Sequence, residues 1–419
     1  MYRYLITRQV LSGQQYYICA LFDENKKMVE VFPVPADSEP LLGNIYIGRV
    51  ENVVANLNAA FVKISPSQTC YLPLEDLKHP IFTKKQSQKK QLCAGDELVV
   101  QVSREAQKTK EPSVTTNLSF DGRYAVVTSG NRKCSVSSKL SKELRLHYRE
   151  RLEEQRSALK DCGVIIRTNA STADDEKVFA ELEVLLREYR SLAAAAKHMT
   201  AYSILKEALP SYLKDLQDLP QSTLEQVVTD DREIFEKVCH FYGIGAECLT
   251  EGGSVPALRY EISTDTGILL RHYHDADYSL QALYGIRENL RAALSERVWL
   301  KSGAYLIIQP TEALTVIDVN TGKNVAKKDS QENFLRVNKD AAAEIARQLR
   351  LRNISGIILI DFINMTSGEA EQELLSYLRA CLKSDPVPVQ LVDITKLGLV
   401  ELTRKKRRKP LRESLHSYQ

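Results

Sequence analysis

Two apolar runs late in the chain stand out from their polar surroundings: Leu314-Thr-Val-Ile-Asp318-Val-Asn320 and Gly356-Ile-Ile-Leu-Ile-Asp361-Phe-Ile-Asn364. β-Branched and leucine residues leading to a lone aspartate predict a buried strand with the acid at its C-terminal edge. Between the runs, Asp329 and Glu332 form a capping box. Phe334, Ala341, Ile345 and Leu349 then fall near one helical face. Strand, helix and strand in that order predict two parallel neighbours. Asp318 and Asp361 then meet at one sheet edge, with Asn320 on the same side as Asp318. A lone strand-end aspartate also serves simply as a turn cap.

Elsewhere the pattern changes in stages. Residues 1 to about 40 alternate apolar and polar positions and read as strands, with turns at Asp23-Glu24-Asn25 and near Pro33. The piece is short for a domain and pairs with strands later in the chain. From Asn44 to about Asn117, short strands separated by turns predict a small β-barrel. A loop there carries Lys84, Lys85, Lys89 and Lys90. Barrels of this kind bind single strands by stacking bases on aromatics in a positive groove. Phe61 and Tyr71 fit that role and fit a core role equally well. From Gly122 to His198 the pattern is helical, with Val178, Leu182, Leu185, Leu186, Tyr189 and Leu192 on one stripe. Within it, Cys162-Gly163-Val-Ile-Ile166-Arg167-Thr168 reads as a strand ending in a cation and a hydroxyl. That pairing suits a phosphate, although Arg167 taken alone fits a surface ion pair and turn better. Residues 200 to 222 read as a helix and a proline-bounded connection. Between 223 and 285, Asp230-x-x-Glu233 predicts a capped helix with Ile234, Phe235 and Val238 inward.

Composition adds limits. With 419 residues, the chain holds several domains or subdomains. It is 43% apolar and 26% charged, ordinary for a soluble globular protein. No apolar window reaches the length of a membrane span, and Met1-Tyr-Arg-Tyr-Leu-Ile6 lacks the pattern of a signal peptide. The eight cysteines form no Cys-x-x-Cys pair, which points to free thiols in a reducing cytoplasm. His272-x-His274 with Asp275 and Asp277 fits a metal site less well than a polar strand end and turn. The net charge of +3 does not announce nucleic acid. The run Arg404-Lys-Lys-Arg-Arg-Lys409 reads as phosphate-attracting or as a solvated tail. Two carboxylates and an amide at a sheet edge suit a hard oxygen-preferring cation such as magnesium, with manganese as a substitute. Asp393, ending a third apolar run, is an additional acid that fits a solvent-facing strand end better.

Three blocks resemble the ribonuclease E/G family: Ala341-Ala-Ala-Glu-Ile-Ala-Arg-Gln-Leu-Arg-Leu-Arg352 followed by Ile360-Asp-Phe-Ile363, Val316-Ile-Asp-Val-Asn-Thr-Gly-Lys323, and Leu397-Gly-Leu-Val-Glu-Leu-Thr-Arg-Lys405. The resemblance implies an α+β, multi-subdomain fold. Residues 1–40 and 210–285 form a ribonuclease H-like scaffold without that fold's catalytic acids. Residues 41–120 form an OB-fold RNA-binding barrel, and 121–209 a 5′-sensor subdomain. Residues 286–405 form a DNase I-like nuclease subdomain, followed by a basic tail, 406–419. It also implies magnesium-dependent hydrolysis of single-stranded RNA in rRNA or mRNA processing, leaving a 5′-phosphate and a 3′-hydroxyl. Asp318 and Asp361 would hold the metal and Asn320 would assist. Phe61, Tyr71, Arg104 and Lys110 would anchor RNA. Gly122, Val126, Arg167 and Thr168 would sense a 5′-monophosphate. The sequence departs from the family at Asn364, where an aspartate is usual, and at Pro388, where some members carry a basic residue. It shows no cysteine pair after the nuclease region, so no zinc link between subunits is expected and oligomeric state is open. A non-catalytic RNA-binding factor of the same fold and a DNA-directed nuclease are the competing readings.

Overall fold

The computed structural model describes residues 1–36, 41–88, 91–106, 111–245, 259–322 and 330–415. Asp329, Lys89, Lys90 and Lys110, each singled out above, lie outside the described residues. The chain divides into two compact units, Met1–Asp37 with Leu224–Gln419, and Ser38–Thr223.

In the first unit, the strand Tyr2–Leu11 is buried on both faces over Tyr4, Leu5, Ile6 and Thr7. That burial fits a central position. It pairs antiparallel with Gln14–Phe22 and parallel with Leu224–Thr229, matching Leu5 to Val228. The N-terminal segment thus supplies three strands of a sheet whose other three come from far along the chain, between Leu224 and Tyr273. Six strands form this sheet, in the order Arg259–Ser263, Leu269–Tyr273, Leu224–Thr229, Tyr2–Leu11, Gln14–Phe22 and Met28–Pro35. The turn expected near Pro33 is not there. Pro33 sits inside the edge strand Met28–Pro35, where a missing N–H is tolerated. The turn at Asp23 does form: its Oδ1 accepts from the N–H groups of Asn25 and Lys27, both at 2.9 Å. The helix Arg232–Phe241 buries Ile234, Phe235 and Val238 as expected, but its N-cap is Asp231, whose Oδ1 accepts from Ile234 N at 3.1 Å. Asp230 is taken instead by the Thr7 hydroxyl, which donates to Oδ2 at 2.7 Å.

A second six-stranded sheet follows in the same unit. Its order is Arg297–Trp299, Tyr305–Pro310, Leu314–Asn320, Gly356–Asp361, Val400–Arg404 and Val389–Ile394. Leu314–Asn320 and Gly356–Asp361 are parallel neighbours joined through the helix Ser330–Leu351. Ile317, Val319, Ile358 and Ile360 share one core with Ala341, Ile345 and Leu349 of that helix and with Leu374 and Leu378 of the helix Gly368–Leu382. The strands were expected to be buried throughout; they are covered on one face only. Thr315, Ile317 and Val319 are buried, whereas Val316, Asp318 and Asn320 alternate with them on a half-open face.

In the second unit, Ile45–Val54, Ala59–Lys63, Thr69–Pro73, Ser113–Thr115 and Glu97–Arg104 form a barrel that closes where Glu97–Arg104 pairs back onto Ile45–Val54. A closed barrel of five strands is the OB-type architecture. Val50, Val62, Cys70, Leu72, Leu98, Val100, Val102 and Val114 fill it. The lysine loop is partly structural: Lys85 Nζ lies 2.6 Å from Asp96 Oδ2 and donates to Gln91 O at 2.7 Å. Burial alone would raise the Asp96 carboxyl. Bonds from Gln86 N, Lys85 and Cys93 N outweigh it and hold the group below the usual carboxylate range. A four-stranded sheet, Ser119–Asp121, Ala125–Thr128, Gly163–Ile166 and Cys134–Val136, lies in the same unit. The helix Asp175–Ala196 buries Val178, Leu182, Leu185, Leu186, Tyr189 and Leu192 in a core with it.

Candidate functional site: a sheet edge with paired carboxylates

The parallel register places Asp318 directly beside Asp361. Neighbouring strands run about 4.8 Å apart, and paired residues share a face, so the carboxylates stand side by side on the uncovered face. Asp318 is half-buried and Asp361 exposed. Asn320 Nδ2 donates to Asp318 Oδ2 at 2.6 Å, which fixes that carboxylate's rotation. Two backbone devices hold this edge. Gly322 follows at φ +68°, and a Cβ there would stand 2.3 Å from Gly303 O. Beyond Asp361, the buried Asn338 amide grips the backbone of Ile363, donating to its carbonyl at 2.8 Å and accepting from its N–H at 3.0 Å. Asn364 is exposed just after that clamp.

Asp318 Oδ1 and the Asp361 carboxylate offer hard oxygen donors, a set that fits magnesium, which keeps several waters and needs only one or two protein carboxylates. Among the described residues no three His, Cys, Asp or Glu side chains converge on a metal position. A cation at this edge would therefore retain most of its hydration. Asp393 is exposed and pairs with Glu401 on the adjacent strand. Glu401 in turn pairs with Leu359, one step behind Asp361 on the same face. His272 packs its ring against Phe235 at 5.5 Å, and burial lowers its pKa. Asp275 accepts from the N–H groups of Asp277 and Tyr278, so this segment is a strand end and a turn.

On the barrel, the choice between core and surface for the two aromatics is resolved. Phe61 pairs with Tyr71, Tyr71 with Ser113, and Ser113 with Arg104. The row faces away from the packed interior, which Val62, Cys70 and Leu72 occupy. The Phe61 and Tyr71 rings meet edge to face at 6.1 Å, both half-exposed, with Arg104 exposed beside them.

Arg167 and Thr168 end the strand Gly163–Ile166, as expected, but both are engaged internally. Arg167 Nη1 donates to Gly122 O at 2.8 Å, and its other terminal nitrogen pairs with Asp218. Thr168 Oγ1 and Ser137 Oγ are 3.0 Å apart. Glu181 accepts from the backbone N–H groups of Arg123, Tyr124 and Ala125, occupying the turn that Gly122 opens. A Cβ at Gly122 would lie 2.3 Å from Glu181 Oε1. Val126 is half-buried and pairs with Asp121 and Ile165.

The basic run divides. Arg404 is not part of a solvated tail: it ends the strand Val400–Arg404, buried, with Nε 2.8 Å from Asp385 Oδ2. Arg408 stacks on Phe32 at 4.5 Å, and Leu411 and Leu415 are buried. Lys405, Lys406 and Arg407 are exposed. Sequence reading also passed over Arg297, Trp299 and Tyr305. The available signal was an aromatic on each side of the Lys301-Ser-Gly-Ala304 turn, which a tight hairpin brings together.

A closed five-stranded barrel and a parallel sheet edge carrying two carboxylates define the class as an α+β protein with an OB-type barrel. Comparison with known proteins then narrows it. Residues 119–407 match the Ribonuclease E/G family. The chain is 33% identical over 404 residues to Ribonuclease E of a Nostoc species, covering 95% of this chain and 56% of that protein. It is 31% identical over 415 residues to Ribonuclease E of Synechocystis, covering 97% and 58% respectively. Against Ribonuclease G of Salmonella typhimurium it is 32% identical over 387 residues, covering 90% and 75%. The chain belongs to the ribonuclease E/G family. It spans a little over half the length of those Ribonuclease E relatives. Among the described residues no helix is long and apolar enough to cross a membrane.

Proposed function

We propose that this chain is an endoribonuclease that hydrolyses phosphodiester bonds of single-stranded RNA, in rRNA or mRNA processing or decay, with magnesium at the Asp318–Asp361 edge. The observation that carries the reading is the register of Asp318 against Asp361, with Asn320 bonded to Asp318, in a chain of this family. When bound, magnesium would supply Lewis-acid activation of water and neutralise charge on the phosphate. Asp318 and Asp361 would hold it, and Asn320 would keep Asp318 in one rotamer. The products expected are a 5′-phosphate and a 3′-hydroxyl. Within this reading the two six-stranded sheets correspond to the ribonuclease H-like scaffold and the DNase I-like subdomain.

The test is incubation of an A/U-rich, 5′-monophosphorylated RNA and its DNA counterpart, with magnesium, with manganese and with chelator. RNA cleaved internally only with metal supports the proposal. DNA cleaved at a comparable rate favours the DNA nuclease instead. Tight binding without cleavage in any divalent metal favours the RNA-binding factor.

Two further expectations arise from the barrel and the Arg167 region. Phe61, Tyr71 and Arg104, together with Lys110, would anchor RNA by stacking and charge. Tyr71→Ala should weaken RNA affinity about tenfold, since one stacked base is worth about 1–3 kcal/mol. Tyr71→Phe should bind like wild type, and neither should shift Tm much, because the ring faces outward. Equal affinity for Tyr71→Ala and wild type would remove this face from RNA binding.

A 5′-phosphate at Gly122, Val126, Arg167 and Thr168 would have to displace the Asp218 carboxylate from Arg167. Half-exposed ion pairs are worth up to about 1 kcal/mol. Asp218→Asn should therefore raise the preference for 5′-monophosphate over 5′-hydroxyl RNA by up to about fivefold, read as the ratio of kcat/KM. An unchanged ratio would mean that Arg167 does not meet the phosphate.

A further inference from the structure

Across the second six-stranded sheet of the first unit, two rows of paired residues share the open face. One runs Arg297, Ile307, Asp318, Asp361, and the next runs Trp299, Tyr305, Asn320. Trp299 is 64% exposed, a large apolar surface left in water beside the candidate site. Its ring lies 5.2 Å from that of Tyr305, tilted by 57°. The Arg297 guanidinium stands 4.8 Å from the Tyr305 ring and 5.7 Å from the Trp299 ring. Strand spacing puts Tyr305 about 5 Å and Trp299 about 10 Å from Asn320 along the row.

We propose that Trp299 and Tyr305, steadied by Arg297, form a stacking platform for an unpaired nucleobase of the RNA next to the phosphate being cleaved. The inference rests on the nuclease reading of Asp318 and Asp361 and adds a substrate-positioning site to it. An aromatic face accepts any base, so the platform selects single strands without reading sequence. Arg297 contributes twice: it polarises against the rings and places a positive charge beside a backbone that the two carboxylates alone would repel. A base held here fixes the phosphate along the same row, which converts binding into orientation. An RNA base fits better than a protein partner, because the platform shares its row with Asn320 and its face with the two acids.

Trp299 is the chain's single tryptophan, so its fluorescence reports on this position alone. The experiment titrates the full chain with a single-stranded RNA oligonucleotide in chelator, where cleavage does not intervene. It then compares KM for wild type, Trp299→Ala, Trp299→Phe and Tyr305→Ala, with magnesium. Saturating RNA should quench the tryptophan. Trp299→Ala should raise KM about tenfold, the effect of one lost stack, while Trp299→Phe retains most of the affinity. An RNA lacking one base beside the cleaved bond should show the same rise with wild type and no further rise with Trp299→Ala. Circular dichroism of Trp299→Ala should match wild type, since the ring is on the surface. Unchanged fluorescence at saturation overturns the platform, as does a wild-type KM in Trp299→Ala, or fluorescence that depends on protein concentration rather than RNA. Cleavage with a silent Trp299 would sink the platform and leave the nuclease standing. Quenching without cleavage by wild type would sink the nuclease and the placement beside a scissile bond together.

Discussion

Asp361→Asn should abolish RNA cleavage, with kcat falling by about 10³ or more, while the chain folds and binds RNA as before. The carboxylate is exposed at the end of its strand, so replacing it with an isosteric amide removes charge without opening the core. On the magnesium reading proposed above, it removes one of two anionic donors to a cation that would stabilise the transition state by several kcal/mol. Each 1.36 kcal/mol is about a factor of ten. Asp318→Asn should be as severe for the same reason, and Asn320 can still donate to the amide oxygen left behind. Binding should persist in both, because the aromatic face of the barrel belongs to the other unit. Gel analysis of product with equal protein, alongside a binding isotherm, reads both quantities. Cleavage within about tenfold of wild type in either variant would be incompatible with a cation shared by these two residues. Loss of binding in both would instead mean that the acids shape the RNA surface.

The strand–helix–strand unit was legible because its apolar runs are short, bounded and rich in β-branched residues. Its parallel order follows from the intervening helix. The pairing of Asp318 with Asp361 needed the register as well, which composition does not carry; only the position of each acid at the end of its run hinted at it. Phe61 shows the opposite case. Its neighbour Val62 points into the barrel, so Phe61 points out, but a single residue of shift reverses both. Sequence alone therefore left core and surface equally open. Lys85 looks free in the sequence, equally for a positive groove or for solvent, because its partner Asp96 is eleven positions away across a turn. Arg167 looked free for a phosphate because Asp218 lies 51 residues on. Charges are legible by position, but their satisfaction depends on partners that only folding brings near. The same holds for Trp299, whose meaning depends on two strands placing it beside the acids.

Arg404 is the strongest instance, and its replacement should unfold the first unit more readily than any other substitution considered above. As one cation in a basic run, it looked like a contact for RNA. In the fold it is buried, with 3% of its side chain exposed, and so is Asp385. Two of its nitrogens reach both Asp385 oxygens, at 2.8 and 3.2 Å, while Nη1 donates to Asn353 Oδ1 at 2.9 Å and Ile354 O at 3.1 Å. These bonds tie the strand Val400–Arg404 of the second six-stranded sheet to the end of the helix Ser330–Leu351 and to the connection after Gly368–Leu382. Arg404→Ala leaves Asp385 charged and unpaired in the interior, a loss of about 3–5 kcal/mol. For a unit of this size that is a fall in Tm of about 10 °C. Replacing both partners with apolar residues, Arg404→Met with Asp385→Leu, should recover much of the loss, because no uncompensated charge remains. Exposed Lys405, Lys406 and Arg407 supply the contrast: their alanine variants should leave Tm unchanged and weaken RNA binding only at low salt. Thermal denaturation of the full chain distinguishes the two roles. An Arg404→Ala protein that melts like wild type but binds RNA weakly would return Arg404 to the basic run and show that the buried pair does not hold this sheet together.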